Sequence, residues 1–406
     1  MGFQQGLSGL NAASKNLDVI GNNVANASTV GFKGAQAQFA DVYASSMGGA
    51  NQAGIGVRVS TIAQQFTQGN ITTTNNSLDM AVSGNGFFRV SNNGAISYTR
   101  NGQFQMDKLG YIVTSQGYRL TGFLPNAAGA IVGTAPADLQ ISTADLMPSP
   151  TVNITAGLNL DSRSAVPAVA PFDPANSLTF NNSTSMTVYD SLGSSHVASL
   201  YFANTAPNSW DAWLTVDGVQ VGAVPLAQMT FGTNGVLSQV NGLPVAAVVS
   251  DFFTPAGAAI QTLSFDFAST SQFGGIFGVN SLSQDGYTSG RLTGFTTGAD
   301  GMVTGRYSNG QAKTLGQVVL SNFSNPQGLQ PMGANNWGET STSGTPLNGA
   351  PGSSSLGLLQ TSAVEDSNVD LTAELVNMIT AQRVYQANAQ SVKTQDQVLQ
   401  TIVNLR

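Results

Sequence analysis

The residues whose types come closest to a catalytic group lie near the centre of the chain. His196 is the single histidine among 406 residues, and Ser194 and Ser195 precede it directly. A serine nucleophile needs a neighbouring base such as histidine, oriented by a further group. His196 also begins a run in which apolar and polar residues alternate, and a polar position on a strand explains it better. We therefore predict no catalytic role for this histidine.

Carboxylates and glycine-rich runs offer no other site for chemistry. The chain has no cysteine, so it can form no thiolate nucleophile, disulfide or cysteine-based zinc site. The acids are mostly single and form no calcium-binding loop, and we expect the adjacent pair Glu365 and Asp366 to serve entry into a final helix. Runs 54–56 and 84–86 lack the third glycine of a nucleotide-binding loop. We predict no metal, no cofactor and no enzymatic activity.

Charged residues are unusually scarce and unevenly placed. They make up 9% of the chain, against roughly 25% in ordinary soluble domains. The net charge of −7 argues against nucleic-acid binding, and between residues 147 and 284 seven acids face one base, Arg163. An acidic middle and nearly neutral ends indicate a solvent-facing middle and buried ends. Burying uncharged polar groups costs less than burying ions, so this composition suits a chain that packs against copies of itself.

The sequence shows no signal for membrane entry. Residues from Met1 to Gly6 have neither the basic stretch nor the apolar core of a secretory signal. No run of 18 apolar residues occurs, so we expect no membrane insertion. Taken alone, these features predict a cytoplasmic protein.

The N-terminal segment has the periodicity of an amphipathic helix. Small and apolar residues recur at alternating spacings of four and three, which is the a/d pattern of a coiled-coil seam, up to a plausible stop at Gly31. The pattern predicts a helix of about six turns. Its positions are Phe3, Gly6, Leu10, Ala13, Leu17, Ile20, Val24 and Ala27.

The C-terminal segment repeats this rhythm from about Asp370 to the end, without Gly or Pro. Asn368 and Asp370 are possible N-caps, and Asp370 and Glu374 suit the positive end of the helix dipole. Only Gln382 and Asp396 interrupt the apolar stripe. Its other positions are Leu371, Leu375, Met378, Tyr385, Ala389, Val392, Leu399 and Val403.

Two narrow seams at opposite ends of the chain favour a coiled coil between the termini. Ordinary amphipathic helices packed on a globular core remain the alternative. We expect the pair to become fully ordered only with contacts from neighbouring subunits. The residues predicted to carry assembly are Leu10, Leu17, Ile20, Val24, Leu371, Leu375, Met378, Tyr385, Val392, Leu399 and Val403.

The middle of the chain has the texture of β-structure. Short apolar runs are separated by turn residues such as Asn93-Gly94 and Asn101-Gly102, which are strong hairpin signals. The prolines at 148 and 150 mark a boundary, after which alternating runs predict a β-sandwich or barrel. The predicted fold is mainly β with α-helical termini, and one all-β domain is inserted in another. The boundaries are 1–30 and 367–406 for the coiled-coil domain, 31–75 and 356–366 for an extended connector, 76–146 and 284–355 for the inner β domain, and 147–283 for the inserted outer β domain.

Motifs at both ends carry a family resemblance. The run from Gly9 to Ala13 and the run from Asn22 to Lys33 closely resemble the N-terminal signature of flagellar rod and hook proteins. The matching C-terminal signature is resembled by residues 367–372, 378–379, 381–383 and 385–388. Further runs are similar to hook proteins in particular, namely 284–287, 307–311, and 320–323 with 327–329.

This resemblance implies a tubular polymer whose terminal helices form an inner layer and whose β domains lie outside. It implies a hook subunit that transmits motor torque to the filament while bending. Export would use the flagellar type III apparatus without a cleaved signal, placing the chain in the extracellular hook on the basal body. The implied partners are further copies, rod and hook–filament junction proteins and a hook cap protein. A distal rod or other axial protein is the first alternative, and a secreted enzyme is the second.

Overall fold

The computed structural model describes residues 2–42, 54, 56–126, 129–133, 135–244, 249–253 and 257–404, with the side chains of 249–252 and 402–404 excepted. Helix α1 spans Gly2–Ala25 and α2 spans Leu371–Asn404, so both predicted terminal helices are confirmed. Short 3₁₀ helices occupy Ser177–Thr179 and Pro326–Gly328. No helix in these ranges is long and apolar enough to cross a membrane.

Short strands make up most of the remaining regular structure, which confirms the predicted mainly β fold. In chain order they are β1 Ala35–Val42, β2 Gly56–Gln64, β3 Ile71–Thr73, β4 Met80–Ser83, β5 Phe87–Asn92, β6 Ala95–Thr99, β7 Phe104–Met106, β8 Ile112–Thr114, β9 Arg119–Phe123, β10 Ala137–Asp138, β11 Asn153–Asp161, β12 Asn182–Tyr189, β13 Ser195–Ala206, β14 Ser209–Val216, β15 Val219–Gln220, β16 Ala227–Phe231, β17 Leu237–Val240, β18 Leu243–Pro244, β19 Val249–Phe253, β20 Gln261–Asp266, β21 Ser271–Phe273, β22 Gly278–Gln284, β23 Leu292–Thr297, β24 Met302–Tyr307, β25 Ala312–Val318, β26 Leu320–Asn322, β27 Gln330–Gly333, β28 Asn336–Gly338, β29 Leu347–Gly349, β30 Leu358–Thr361 and β31 Ala363–Glu365.

The helix ends have local causes. Asp370 caps α2, because its Oδ1 accepts hydrogen bonds from the backbone N–H groups of Thr372 (2.8 Å) and Ala373 (3.2 Å). Helix α1 ends before the predicted stop at Gly31. The next residues form turns instead, with Asn26 N–H donating to the carbonyl groups of Asn22 and Asn23.

The chain forms two compact units. The first contains residues 1–143, 294–306 and 312–406, and the second contains 144–293 and 307–311. The predicted domain boundaries themselves stay predictions.

The second unit is a β-sandwich, so the structure decides between the predicted sandwich and barrel. The antiparallel strands β12, β13, β14, β16, β17 and β18 follow one another across one sheet, and β19, β20, β11 and β21 across another. Residues of both sheets share one hydrophobic core. The alternating runs behave as predicted, since Leu200, Leu214 and Phe265 all point into this core.

The first unit has a separate core of aromatic side chains. Phe87, Tyr98, Phe323 and Trp337 are buried together, and Phe66 packs edge-on against Trp337 with 5.6 Å between ring centroids. The strands β5 and β6 supply Phe87 and Tyr98 and form the predicted hairpin, with the left-handed Asn93 and Gly94 as its two-residue turn.

The second Asn-Gly signal gave a wrong prediction. Asn101-Gly102 makes no hairpin, because β7 pairs with β8 and not with β6. The glycine is needed for a close approach instead. Its carbonyl accepts from Met80 N–H at 2.9 Å, and a Cβ at Gly102 would lie 1.5 Å from the Met80 carbonyl oxygen.

The prediction of an extended connector at 31–75 also needs correction. The strands β1 and β2 pair antiparallel from Ala35–Gln64 to Val42–Gly56 and pack against α1. A third strand, β3, pairs with β31, which lies in the other predicted connector. Residues 43–53 and 55 lie outside the described part. The weak hydrophobic periodicity arises because this hairpin buries only part of one face.

Candidate assembly site

The two terminal helices lie antiparallel in the first unit and touch through small residues of α1. A Cβ added to Gly9 would lie 2.6 Å from Asn388 Oδ1, and one added to Gly6 would lie 2.8 Å from Val392 Cγ2. Near the other end, Asn23 Nδ2 donates to Glu374 Oε1 at 3.0 Å. The predicted pairing of the termini is therefore confirmed, and each glycine leaves room for a side chain of α2 against the backbone of α1.

This close approach predicts opposite effects for two glycine substitutions in α1. Gly9→Leu must push Asn388 aside, so we expect a loss of about 1–3 kcal/mol in the free energy of unfolding. Gly21→Ala is the matched control, because nothing lies within 4 Å of the added Cβ, and a helical alanine should stabilise by about 0.5–1 kcal/mol. Urea unfolding followed by helical circular dichroism measures both, and changes of the same sign would contradict the packing.

The hairpin β1–β2 covers another face of α1. Gln5 Nε2 donates to the Gly54 carbonyl at 2.6 Å, and Ser8 Oγ accepts from Val57 N–H at 3.3 Å. Helix α1 is thus held by α2 and by the hairpin. The buried apolar residues of α1 are Ala12, Ala13, Val19 and Ile20.

A cleft of about 1060 Å³ opens between α1, α2 and this hairpin. Its walls combine apolar side chains, such as Val19 and Ala381, with amides, such as Asn16, Asn377 and Asn388. A mixed lining of this kind accommodates protein side chains without requiring the burial of charge.

Two asparagines of the terminal signatures fasten the helices to the hairpin. Asn23 exchanges two hydrogen bonds with the backbone of Ala35, donating at 2.8 Å and accepting at 2.9 Å. Asn368 accepts from Gly34 N–H at 2.8 Å and donates to the Gln65 carbonyl at 2.6 Å. Asn368 is thus not the N-cap considered from the sequence. Each side-chain amide forms hydrogen bonds with backbone N–H and C=O groups at the ends of the hairpin strands, which would otherwise lack partners.

A buried ionic cluster joins the N-terminal signature, through Lys33, to the β-structure of the first unit. Lys33 Nζ lies 2.5 Å from Glu365 Oε1, and Arg100 Nη1 lies 3.1 Å from Glu365 Oε2. The side chains of Lys33 and Glu365 are fully buried. Lys33 also donates to the Thr67 carbonyl at 2.7 Å, and Gly69 N–H donates to Glu365 Oε1 at 2.9 Å. This cluster is named the ionic trio below.

Arg100 extends the trio toward the aromatic core. Its Nη2 donates to the Gly84 carbonyl at 2.8 Å, and its guanidinium carbon lies 5.3 Å from the centre of the Phe87 ring. Burial lowers the pKa of Arg100 and of Lys33, and Glu365 opposes that effect in both cases. Because two cations share one carboxylate, the loss of Glu365 would leave both without their counter-ion.

The predicted assembly residues of α1 are at least partly buried within the single chain. Ile20 is buried, and Leu10, Leu17 and Val24 are half-buried.

The predicted assembly residues of α2 divide into two groups. Met378 and Val392 form the first group and are half-buried. The residues of α2 that line the cleft toward α1 include three that were not predicted, namely Glu374, Ala381 and Asn388. Larger apolar side chains are left facing solvent, and Val403 lies outside the described side chains. The exposed members, named the outer stripe below, are Leu371, Leu375, Tyr385 and Leu399. Their role in assembly stays a prediction.

Sequence reasoning missed the trio and assigned Glu365 wrongly. We expected Glu365 to serve helix entry, yet Asp370 caps α2 and Glu365 is buried five residues earlier. One available signal was Lys33, an isolated charge next to Phe32, together with Glu365 directly after Val364, in a chain with only 9% charged residues. Such charges are buried only when they are paired.

The surroundings of His196 in the second unit bear on the catalytic arrangement considered from the sequence. Both ring nitrogens of His196 face carboxylates, Asp217 at 2.6 Å and Asp190 at 3.4 Å, so neither faces Ser194 or Ser195. Within the part of the chain that the structure describes, no group of three or more His, Cys, Asp or Glu side chains is arranged to hold a metal ion.

Family models match successive parts of the chain. Residues 3–33 match the flagella basal body rod protein model, and 360–405 match the C-terminal model of the flagellar basal body rod FlgEFG protein. Residues 81–158 match the flagellar hook protein FlgE/F/G D1 domain, and 159–287 match the flagellar basal body protein FlaE D2 domain. The first of these segments contains α1 and the second contains α2, and the other two consist mainly of β-structure.

Whole-chain relatives agree with these domain matches. The chain is 42% identical to the flagellar hook protein FlgE of Escherichia coli strain K12 and 41% identical to that of Salmonella typhimurium, with 100% of both chains covered in each case. A crystal structure of Helicobacter pylori flagellar hook protein FlgE2 has the same fold, with a TM-score of 0.54, 14% identity and coverage of 72% of this chain and 100% of the other. At this identity over its full length, the chain belongs to the flagellar hook protein family.

Proposed function

We propose that this chain is the structural subunit of the flagellar hook, which polymerises into a curved tube that transmits motor torque to the filament. The full-length similarity to flagellar hook proteins carries this conclusion. A distal rod protein is not favoured, because the whole-chain relatives are named hook proteins and the matched models include the D2 domain at 159–287. The proposed role is structural and involves no enzymatic reaction.

The surface of the terminal helices supports self-assembly. The outer stripe exposes about half of each leucine, with Leu371 at 47%, Leu375 at 45% and Leu399 at 55%. Val376 and Ile379 add further exposed apolar surface to the same helix. A row of exposed apolar side chains on an ordered helix favours burial against another protein, and a second copy is the partner that a polymer supplies.

The remaining partners and the location follow from this role. Growth at the distal tip requires a cap protein, and the polymer ends require rod and hook–filament junction proteins. We propose export through the flagellar type III apparatus without cleavage of a signal, and a final location in the extracellular hook attached to the basal body. The terminal helical pair would form the inner layer of the tube and the β domains its outer layers.

Complementation tests the proposal directly. The intact chain, supplied to a flagellated host such as Escherichia coli whose own hook gene has been deleted, should restore curved hooks visible by electron microscopy. A chain lacking residues 367–406 should restore none, because it has lost α2 and Asn368. Export of the intact chain without any ordered polymer, or with straight rods only, would contradict the proposal.

A further inference from the structure

His196 is held between two carboxylates on the second unit. It lies at the start of β13, where its Nδ1 is 2.6 Å from Asp217 Oδ2 and its Nε2 is 3.4 Å from Asp190 Oδ2. Asp190 begins the turn between β12 and β13, and Asp217 begins the turn between β14 and β15. One imidazole therefore connects two turns that are separate in sequence.

The two carboxylates are fixed by the backbone, independently of the histidine. Asp190 Oδ1 accepts from the N–H groups of Leu192 (2.9 Å) and Ser194 (2.8 Å). Asp217 Oδ1 accepts from Val197 N–H at 2.8 Å. Each aspartate thus uses one oxygen to hold backbone and presents the other to the imidazole.

The protonation state of the imidazole decides whether both contacts can form. An imidazolium has two N–H donors, one for each carboxylate, whereas a neutral imidazole has only one. In the neutral form, one ring nitrogen must turn its lone pair toward a carboxylate oxygen, which is a repulsive contact. We propose that Asp190, His196 and Asp217 form a pH-sensitive clasp, which holds both turns of the second unit while the imidazole is protonated and releases one of them when it is neutral.

Among the described residues, the charges that act on the imidazolium are carboxylates. From β19, the Phe253 ring packs edge-on against His196 at 5.4 Å between centroids, and the side chain of Asp251 on that strand lies outside those described. Arg163, the one base between residues 147 and 284, is ion-paired to Asp161 at 2.8 Å. The charged groups described as facing His196 are therefore Asp190 and Asp217.

The direction of the pH dependence follows from this geometry. Partial burial alone would lower the pKa of His196, but the hydrogen bonds and charges of Asp217 and Asp190 outweigh burial and raise it above the ordinary value of 6.5. A group with a raised pKa stabilises the fold fully below its unfolded pKa, and this contribution is lost as the pH rises through the folded pKa. Hydrogen bonds from the backbone and from His196 lower the pKa of both aspartates. The stability that the aspartates contribute is therefore lost only when the pH falls below their ordinary titration range.

Nuclear magnetic resonance can follow this imidazole without ambiguity, because the full-length chain has one histidine. With ¹³C-labelled histidine, we expect titration above pH 6.5. Asp217→Asn should shift the titration to lower pH, and Asp190→Asn should shift it in the same direction. Asp266→Asn removes a carboxylate of the second unit that accepts from Ala268 N–H, and should leave the titration unchanged.

A stability readout completes the test. The urea midpoint reported by Trp210 and Trp213, both in the second unit, should fall between pH 6 and pH 9, and Asp217→Asn should diminish that fall. Titration at or below pH 6.5 in the unaltered chain would overturn the clasp. So would titration curves that coincide for Asp217→Asn, Asp190→Asn and Asp266→Asn.

Discussion

Glu365→Gln should lower the free energy of unfolding of the first unit by about 3–5 kcal/mol. The substitution keeps the shape of the side chain but removes the counter-ion of two cations, Lys33 and Arg100, that have 0% and 4% side-chain exposure. A buried charge without a partner is far more costly than a missing surface pair. Urea unfolding followed by helical circular dichroism reports on this unit, because both α1 and α2 belong to it.

The exposed pair between Lys15 and Asp18 supplies the control. Its atoms are 3.1 Å apart, as in the trio, but both side chains are more than half exposed. Asp18→Asn should therefore cost less than about 1 kcal/mol. Simultaneous replacement of Lys33, Arg100 and Glu365 by Met should recover much of the stability lost in Glu365→Gln. An equal cost for Glu365→Gln and Asp18→Asn would show that the trio contributes little.

Leu375→Lys combined with Leu399→Lys should block polymerisation while the monomer stays folded. Each leucine is about half exposed in the single chain, so the substitutions remove few intramolecular contacts. Burying a fully exposed leucine contributes about 1.5–3 kcal/mol, so burying the exposed half of each contributes about 0.75–1.5 kcal/mol, and each ~1.4 kcal/mol lost from a subunit contact raises the critical concentration about tenfold. We expect a rise of at least about tenfold for the pair, measured by sedimentation of polymers in the presence of cap protein.

Gln386→Lys is the matched control on the same helix. Gln386 is exposed and lies next to Tyr385, so its substitution introduces one positive charge, against two in the double variant, without removing an apolar side chain. It should change the critical concentration only slightly. Equal inhibition by Gln386→Lys would assign the effect to added charge, and normal assembly of the double lysine variant would exclude the outer stripe from the subunit interface.

Regular periodicity and local turn chemistry made much of the fold predictable. The terminal helices, the β5–β6 hairpin and the buried faces of β13, β14 and β20 follow from spacings of 3.5 or 2 residues and from the Asn93-Gly94 turn. These features depend on neighbours in sequence. A single sequence therefore contains most of the information needed.

Features that depend on distant residues were harder to predict. Glu365 meets Lys33 across 332 positions, and no local pattern reveals such a partner. Asn101-Gly102 has the sequence of a hairpin turn, but glycine is needed at position 102 because the Met80 carbonyl leaves no room for a Cβ. On α2, four large apolar residues form the outer stripe, while Val392 packs against Gly6 and Ala381 and Asn388 line the cleft with α1. Hydrophobicity therefore identified the helix but not which of its faces meets α1.

Hydrogen–deuterium exchange of monomer and polymer tests the central claim most directly, which is that the outward face of the terminal helical pair becomes buried on assembly. Peptides covering 371–399 should exchange at least about tenfold more slowly in the polymer, because neighbouring subunits suppress local opening of α2. Peptides from β13 and β14, whose core residues are already buried in the single chain, should change little. Unchanged exchange over 371–399, together with slowed exchange over 195–216, would place the principal assembly contact in the second unit and contradict the account.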